Sequence, residues 1–279
     1  MPADYATFFH EAMATHFAIL ISGHPAEYAR QASAAAFREL ERLENELSRY
    51  IESSDISRAN RLAEGETTVI GEDALRCLLI AAQISEATGR AFDPAYASVL
   101  PAGGFVDHPL FALDPDRHEL TSLAPRLHLD LGAVGKGYAL DQMADVLREW
   151  TISRACLQSG GSTALVLEAP EGESGWPLSL GEDPYPRILN LRHAALSGSG
   201  VAVKGSHLMD VRTGQPAARR TRVWAVAADA ATSDALSTAF FVMNDDAVRR
   251  FCEEHPDVGA ALAQPDGTLL TFGAALDPR

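Results

Sequence analysis

The sequence predicts an α+β fold, and three observations carry that prediction. Of its 279 residues 47% are hydrophobic and 22% charged, globular proportions in a chain long enough to remove ~75% of its unfolded surface from water. Amphipathic stretches of helical period stand among numerous short runs of strand type. No internal repeat, low-complexity tract or linker interrupts them. A single domain over residues 1–279, with room for two lobes, is therefore expected.

Taken in order, residues 12–23 (AMATHFAILISG) suggest a strand closed by Gly23. A helix follows over about 26–48, with Phe37, Leu40, Leu43, Leu47 and Tyr50 at spacings of three and four, and with Arg38, Glu39, Glu41, Arg42 and Glu46 on the other face. Ser53-Ser54-Asp55 breaks it, and Ser54 or Asp55 is placed to cap a short helix over 56–63. Residues 72–88 form another amphipathic helix, ended by Gly89. The stretch 101–126, rich in Pro, Gly and His, reads as an irregular surface excursion. From 127 the pattern is strand (LHLDL), glycine turn, helix over 136–149, strand 155–158, Gly160-Gly161, strand 163–168, then short strands through 210. Residues 221–228 read as a strand, 232–243 and 245–254 as helices, and 258–263 and 267–272 as strands about the Pro265-Asp266-Gly267 turn.

Charge and cysteine usage narrow the function. Lys and Arg number 23 against 38 Asp and Glu, a net charge of −15 that repels nucleic acid and anionic lipid. An anionic small ligand stays open only with local help from a metal or a helix N-terminus. No apolar run reaches the ~18 residues of a membrane span. Asp4 and Glu11 stand where a signal peptide would have a basic start and an apolar centre, and no lipobox is seen. Cys77, Cys156 and Cys252 are far apart and in apolar surroundings, so they read as reduced packing residues of a cytoplasmic protein.

Several familiar chemistries drop out. The nine histidines show no H-E-x-x-H or other metal spacing, and there is no G-x-S-x-G elbow. Gly132-Ala-Val-Gly135-Lys136-Gly137 is not a P-loop. Asp130 stands where the first glycine is required and Gly137 where Ser or Thr must hold Mg²⁺.

Three constellations remain. Asp130-Leu-Gly-Ala-Val-Gly-Lys-Gly-Tyr138-Ala-Leu-Asp141 reads either as an ordinary strand-to-helix turn or as backbone N–H groups and Lys136 brought against an anion. In the second reading Gly132, Gly135 and Gly137 permit the tight turn and the close approach. Ser233-Asp234-Ala-Leu-Ser237-Thr238 reads either as a capped helix start or as a pair of oxygens at i and i+4, suited to Mg²⁺ or Ca²⁺. His207-Leu-Met-Asp210-Val-Arg-Thr-Gly214-Gln-Pro216 reads as a hairpin with an exposed histidine, or as a base and its orienter.

In the same order along about 12–244 stand Met13-Ala-Thr15, Glu46-Leu-Ser-Arg-Tyr50, Ser54-Asp-Ile-Ser-Arg-Ala-Asn60, Ala91-Phe92-Asp93-Pro94, the Asp130–Tyr138 segment, Ser159-Gly-Gly161, Ser197-Gly198, the His207–Pro216 segment and Ser233–Thr238. Together these resemble the FAD:protein FMN transferases, the ApbE-like flavin transferases. The resemblance implies their α+β fold of mixed or antiparallel sheets with packed helices. It implies an enzyme that binds FAD and Mg²⁺ and passes FMN to a Ser or Thr hydroxyl of an acceptor flavoprotein, releasing AMP. Some relatives hydrolyse FAD to FMN and AMP instead.

Carried over to this chain, the resemblance assigns the metal to the backbone carbonyl of Ala133 with Asp234 and Thr238, Ser237 standing where some relatives have a further carboxylate. It assigns the flavin site to Met13, Tyr50, Ala91, Phe92, Asp93, Asp130, Lys136 and Met209, and the step at the accepting hydroxyl to His207. The chain departs from the family pattern at Val211 (usually Pro), at Ser199-Gly200 (usually bringing a Tyr) and at Gly103-Gly104-Phe105 (usually Trp-Gly-Phe). Val211 and Gly200 motivate a third reading, a non-catalytic flavin-binding or carrier protein.

Overall fold

A computed structural model describes residues 5–98, 108–180, 187–200, 209–210, 215–216, 220–273 and 276. Its backbone is an antiparallel sheet of eight strands with helices on one face and a hairpin on the other. In chain order the strands are β1 (Tyr5–Ala12), β2 (Thr15–Ser22), β3 (Thr67–Val69), β4 (Phe111–Asp114), β5 (Glu119–Ser122), β6 (Ala155–Ser159), β7 (Thr163–Val166) and β8 (Trp176–Leu180). They continue with β9 (Arg187–Leu191), β10 (Ala194–Gly200), β11 (Met209–Asp210), β12 (Gln215–Pro216), β13 (Arg222–Ala227), β14 (Gly259–Ala263) and β15 (Leu269–Phe272). The helices are α1 (Ala26–Leu47), α2 (Asp55–Ala59), α3 (Glu72–Ala87), α4 (Gly135–Glu149), α5 (Ala230–Val242) and α6 (Asp245–Glu254). The large sheet runs β1-β2-β6-β7-β10-β13-β14-β15.

The period of two along the central strands feeds two cores. Val223 and Ala225 face the helices, with Phe17, Ile19, Leu157 and Leu165. Trp224 and Val226 face away, against Trp176, Leu178 and Leu189 of the β8–β9 hairpin. Helix α1 buries Phe37, Leu40, Leu43 and Leu47 as its spacing predicts, each worth ~1.5–3 kcal/mol of burial. Tyr50 is not part of that stripe: the helix ends at Leu47, and Tyr50 stands beyond it, 81% exposed. Helix α5 is buried on nearly every side, so the polar groups it carries lie inside the protein.

Four sequence expectations are corrected. The first strand is a hairpin, β1 and β2, whose two-residue turn is Met13-Ala14. Residues 111–122 are not irregular: β4 and β5 join β3 in a small sheet. Residues 127–131 are not a strand. Their backbone is satisfied by side chains and a loop instead: His128 N–H donates to Ser98, Leu129 N–H to Asn60 Oδ1, and Asp130 N–H to the Pro94 carbonyl. A segment so held has no neighbouring strand to pair with. Helix α5 begins at Ala230, two residues before its expected start.

All three cysteines are buried and free, as expected for packing residues. Burial pushes the thiols of Cys156 and Cys252 up to about 12 and about 11, and raises that of Cys77 too. Among the described residues no helix is long and apolar enough to cross a membrane.

Candidate functional site

A cavity of about 470 Å³ opens between the β1–β2 turn, the C-terminal end of α1 and the N-terminal end of α4. Met13, Tyr50, Asp130 and Lys136, four of the predicted flavin-site residues, line it together. Met13 and Ala14 both have positive φ, 49° and 57°, the conformation that a two-residue hairpin turn demands and that L-residues adopt at a cost. Glu44 holds this turn by accepting the Met13 N–H at 2.7 Å. On the far side, Asp130 Oδ1 accepts the Gly132 N–H at 2.9 Å, while its other oxygen lies 3.5 Å from Arg49. The Arg49 guanidinium in turn stands 4.7 Å from the centre of the Tyr50 ring. Glu44 and Arg49 were not singled out by the sequence. Only the adjacency of Arg49 to Tyr50 hinted at either.

Helix α4 begins at the cavity wall with no side-chain cap, which leaves its positive end open to an anion. Lys136 sits in its first turn, donates to the Gly132 carbonyl, and brings its ammonium to 3.8 Å from Asp234 Oδ2. None of Gly132, Gly135 and Gly137 adopts a positive φ. The close approach expected there is therefore made by Gly137, and toward α5 rather than toward a ligand. A Cβ at Gly137 would stand 2.2 Å from the Ala230 carbonyl oxygen.

Asp234 is 2% exposed, and among the described residues its Oδ2 has no hydrogen-bond partner. Its Oδ1 receives only a long contact, 3.5 Å, from the Thr163 hydroxyl. An ionised carboxylate left this way is costly in a protein interior, and a cation beside it removes the cost. The helix-start reading of this residue fails. Asp229 caps α5 by accepting the Thr232 N–H at 2.7 Å, Ser233 donates to the Ala225 carbonyl, and Asp234 lies in the second turn. Thr238 follows one turn on, its hydroxyl 3.4 Å from Ser199, which also pairs with Ser237 at 2.9 Å. Among the described residues no three His, Cys, Asp or Glu side chains gather as a metal cluster. The donors around Asp234 are hydroxyl oxygens, the hard type that Mg²⁺ takes.

Among the described residues, Ala91, Phe92, Asp93 and Ala133 do not line the cavity. Ala91 and Phe92 are buried in the core, and Asp93 pairs with Arg90 at 2.7 Å and accepts the Ala95 N–H. They sit next to Pro94, whose carbonyl anchors the Asp130 N–H at 2.8 Å, and so lie behind the cavity wall. Ala133 lies between Gly132 and the start of α4, packed against the main core. Met209 pairs with Pro216 in the β11–β12 ladder. His207, Val211 and Gly103 to Phe105 lie outside the described residues.

A model of the ApbE family matches residues 13–262. The FAD:protein FMN transferase of Haemophilus influenzae is 22% identical, over 81% of this chain and 76% of its own. That of Vibrio cholerae is 24% identical, over 75% of this chain and 72% of its own. Among solved structures, the flavin transferase ApbE from Vibrio cholerae superposes with a TM-score of 0.84 at 20% identity, covering 98% of both chains. The Pseudomonas stutzeri flavinyl transferase ApbE, apo form, gives 0.83 at 21% identity, over 99% of this chain and 96% of its own. The expected α+β fold is the one observed.

Proposed function

The chain belongs to the ApbE family, and from that premise we propose that it is an FAD:protein FMN transferase using Mg²⁺, with a flavoprotein Ser or Thr hydroxyl as acceptor. One observation carries the reading: Lys136 stands between a cavity rimmed by Met13 and Tyr50 and a buried carboxylate oxygen that has no hydrogen-bond partner among the described residues. A doubly anionic dinucleotide needs local positive charge on a chain of net charge −15.

In this reading the exposed Tyr50 ring and Met13 receive the flavin ring, an apolar body on apolar partners. Lys136 and the uncapped start of α4 face the pyrophosphate. Asp130 shapes the turn between them, with Ala91, Phe92 and Asp93 supporting it from behind, and Met209 contributes to the flavin site as the family resemblance implies. The Ala133 carbonyl, Asp234 and Thr238 hold Mg²⁺, which when bound neutralises charge on the phosphates. The acceptor hydroxyl oxygen attacks the phosphorus of the FMN half. A new phosphoester bond forms, the bond to the bridging oxygen breaks, and AMP leaves with that oxygen. The hydroxyl proton passes to His207.

The test is to incubate the protein with FAD and Mg²⁺, with and without a flavoprotein subunit known to accept FMN. Flavin fluorescence on the acceptor band in a denaturing gel is the expected result. Free FMN and AMP with no labelled acceptor would make the protein a pyrophosphatase instead, and unchanged FAD would make it a carrier.

A further inference from the structure

Helix α5 has two carboxylates at its N-terminus, and only one belongs to it. Asp229 caps the helix in the usual way, through the Thr232 N–H. The first two N–H groups, of Ala230 and Ala231, are taken by Asp141 of α4, at 2.8 Å to Oδ1 and 2.9 Å to Oδ2. Asp141 and Gly137 are i+4 and i on one face of α4. At Gly137 the two backbones come so close that a Cβ would stand 2.2 Å from the Ala230 oxygen. The junction is thus made twice, by a two-pronged side chain and by a missing one.

The placement of this junction is what gives it a use. On α5 it lies one turn, ~5.4 Å, before Asp234. On α4 it begins one residue after Lys136 and four after Ala133. The two halves of the proposed metal and phosphate site lie on these two helices and the turn before α4, and the hydrogen bonds of Asp141 go to Ala230 and Ala231, which belong to neither half. Capping alone does not call for such a group. A buried carboxylate is expensive, and a hydroxyl or a water satisfies an N–H at lower cost. A bidentate acceptor fixes the separation and the direction of two helices at once, which a single hydroxyl cannot do.

We propose that Asp141 is a positioning residue, which by gripping the first turn of α5 from α4 sets the distance between the Ala133–Lys136 turn and the Asp234–Thr238 pair. This inference rests on the metal reading given above. Outer residues that orient metal ligands typically carry ~10–100-fold of metal affinity.

The experiment measures Mg²⁺ binding by calorimetry, and Mn²⁺ binding by electron paramagnetic resonance, on wild type, Asp141→Glu, Asp141→Asn and Gly137→Ala. Riboflavin binding, which lacks a phosphate, is followed in parallel by fluorescence quenching. Asp141→Glu keeps the charge and shifts the grip, and Gly137→Ala changes no charge and pushes the helices apart. A mere field effect of the carboxylate would leave both at wild-type affinity. The expected result is metal binding weakened at least ~10-fold in each folded variant, with riboflavin affinity within about twofold of wild type. If either of the charge-conserving variants fails to fold, the other decides the matter, and Asp141→Asn measures how much of the effect the charge adds. Wild-type metal affinity in any folded variant overturns the positioning role. A wild-type protein that binds neither ion overturns the metal reading itself, and the two failures are distinguishable.

Discussion

Replacing Asp234 by Asn separates a metal ligand from a packing residue, because the change removes one charge and almost no volume. In the absence of metal two large effects oppose each other. At 3.8 Å and an effective dielectric constant of about 20, attraction to Lys136 is worth ~4 kcal/mol. Against it stands the several kcal/mol that desolvating the carboxylate costs, uncompensated at Oδ2. Lys136 is not orphaned by the change, since it also donates to the Gly132 carbonyl. The metal-free stability of Asp234→Asn should therefore lie within ~1–2 kcal/mol of wild type. With Mg²⁺ the two proteins should part. At a concentration 100 times its Kd, the ion stabilises wild type by about 2.7 kcal/mol, or ~5 °C in Tm for a chain of this size. The variant should show almost none of that rise and should lose Mg²⁺-dependent flavin transfer. The assay is thermal unfolding across a Mg²⁺ series, with turnover measured on the same samples. An equal rise in Tm and equal turnover in the variant would refute the ligand role and leave Asp234 a buried partner of Lys136.

Three further outcomes are expected. Ala14→Gly should raise stability by ~0.5–1 kcal/mol, because glycine adopts the 57° φ of that turn without strain; a lower Tm in the variant would contradict this. The Asp141 carboxyl is pushed up to about 7 by burial first, and then by Asp229 and Asp145, against the pull of its two N–H bonds; Cys77 on α3 also faces it. A folded state that keeps this proton is stabilised below the unfolded pKa of 3.8, and that contribution fades as pH rises through about 7, by at most about 4 kcal/mol. Urea unfolding at pH 5 and pH 8 should show this loss in wild type and not in Asp141→Asn, and parallel slopes would exclude it. His207→Ala should depress flavin transfer ~10²–10⁴-fold while FAD binding survives and any FAD hydrolysis falls less. Transfer at the wild-type rate would reduce this histidine to a turn residue.

What could be read from the chain is what short-range physics controls. The three- and four-residue spacing of Phe37, Leu40, Leu43 and Leu47 gave the buried face of α1. Ser54 was legible as a cap and accepts the Ser57 N–H at 2.9 Å. The i and i+4 relation of Asp234 and Thr238 followed from helical period alone. Each of these depends on neighbours a few residues away, so a local pattern is enough to specify it.

Other features belong to contacts between distant segments. The run LHLDL has the composition of a strand, yet it is held by Asn60, Ser98 and Pro94, and no local signal announces partners that far away. The glycines at 132–137 read as an ordinary turn or a phosphate turn, whereas the one that requires its missing side chain, Gly137, requires it because Ala230 crosses there. Nothing in the local sequence marks Asp141 as the link between two helices that it is. Asp234 could be named from the sequence as a cap or a ligand. Only the burial of α5 among the sheet and its neighbouring helices left its Oδ2 without a hydrogen-bond partner among the described residues and put Lys136 beside it. The sequence alone determined which residues carry charge and which face of each helix they occupy, because period and capping are local. The tertiary structure decided which of those charges are desolvated and what they meet, because burial depends on segments that are near in space and far apart in the chain.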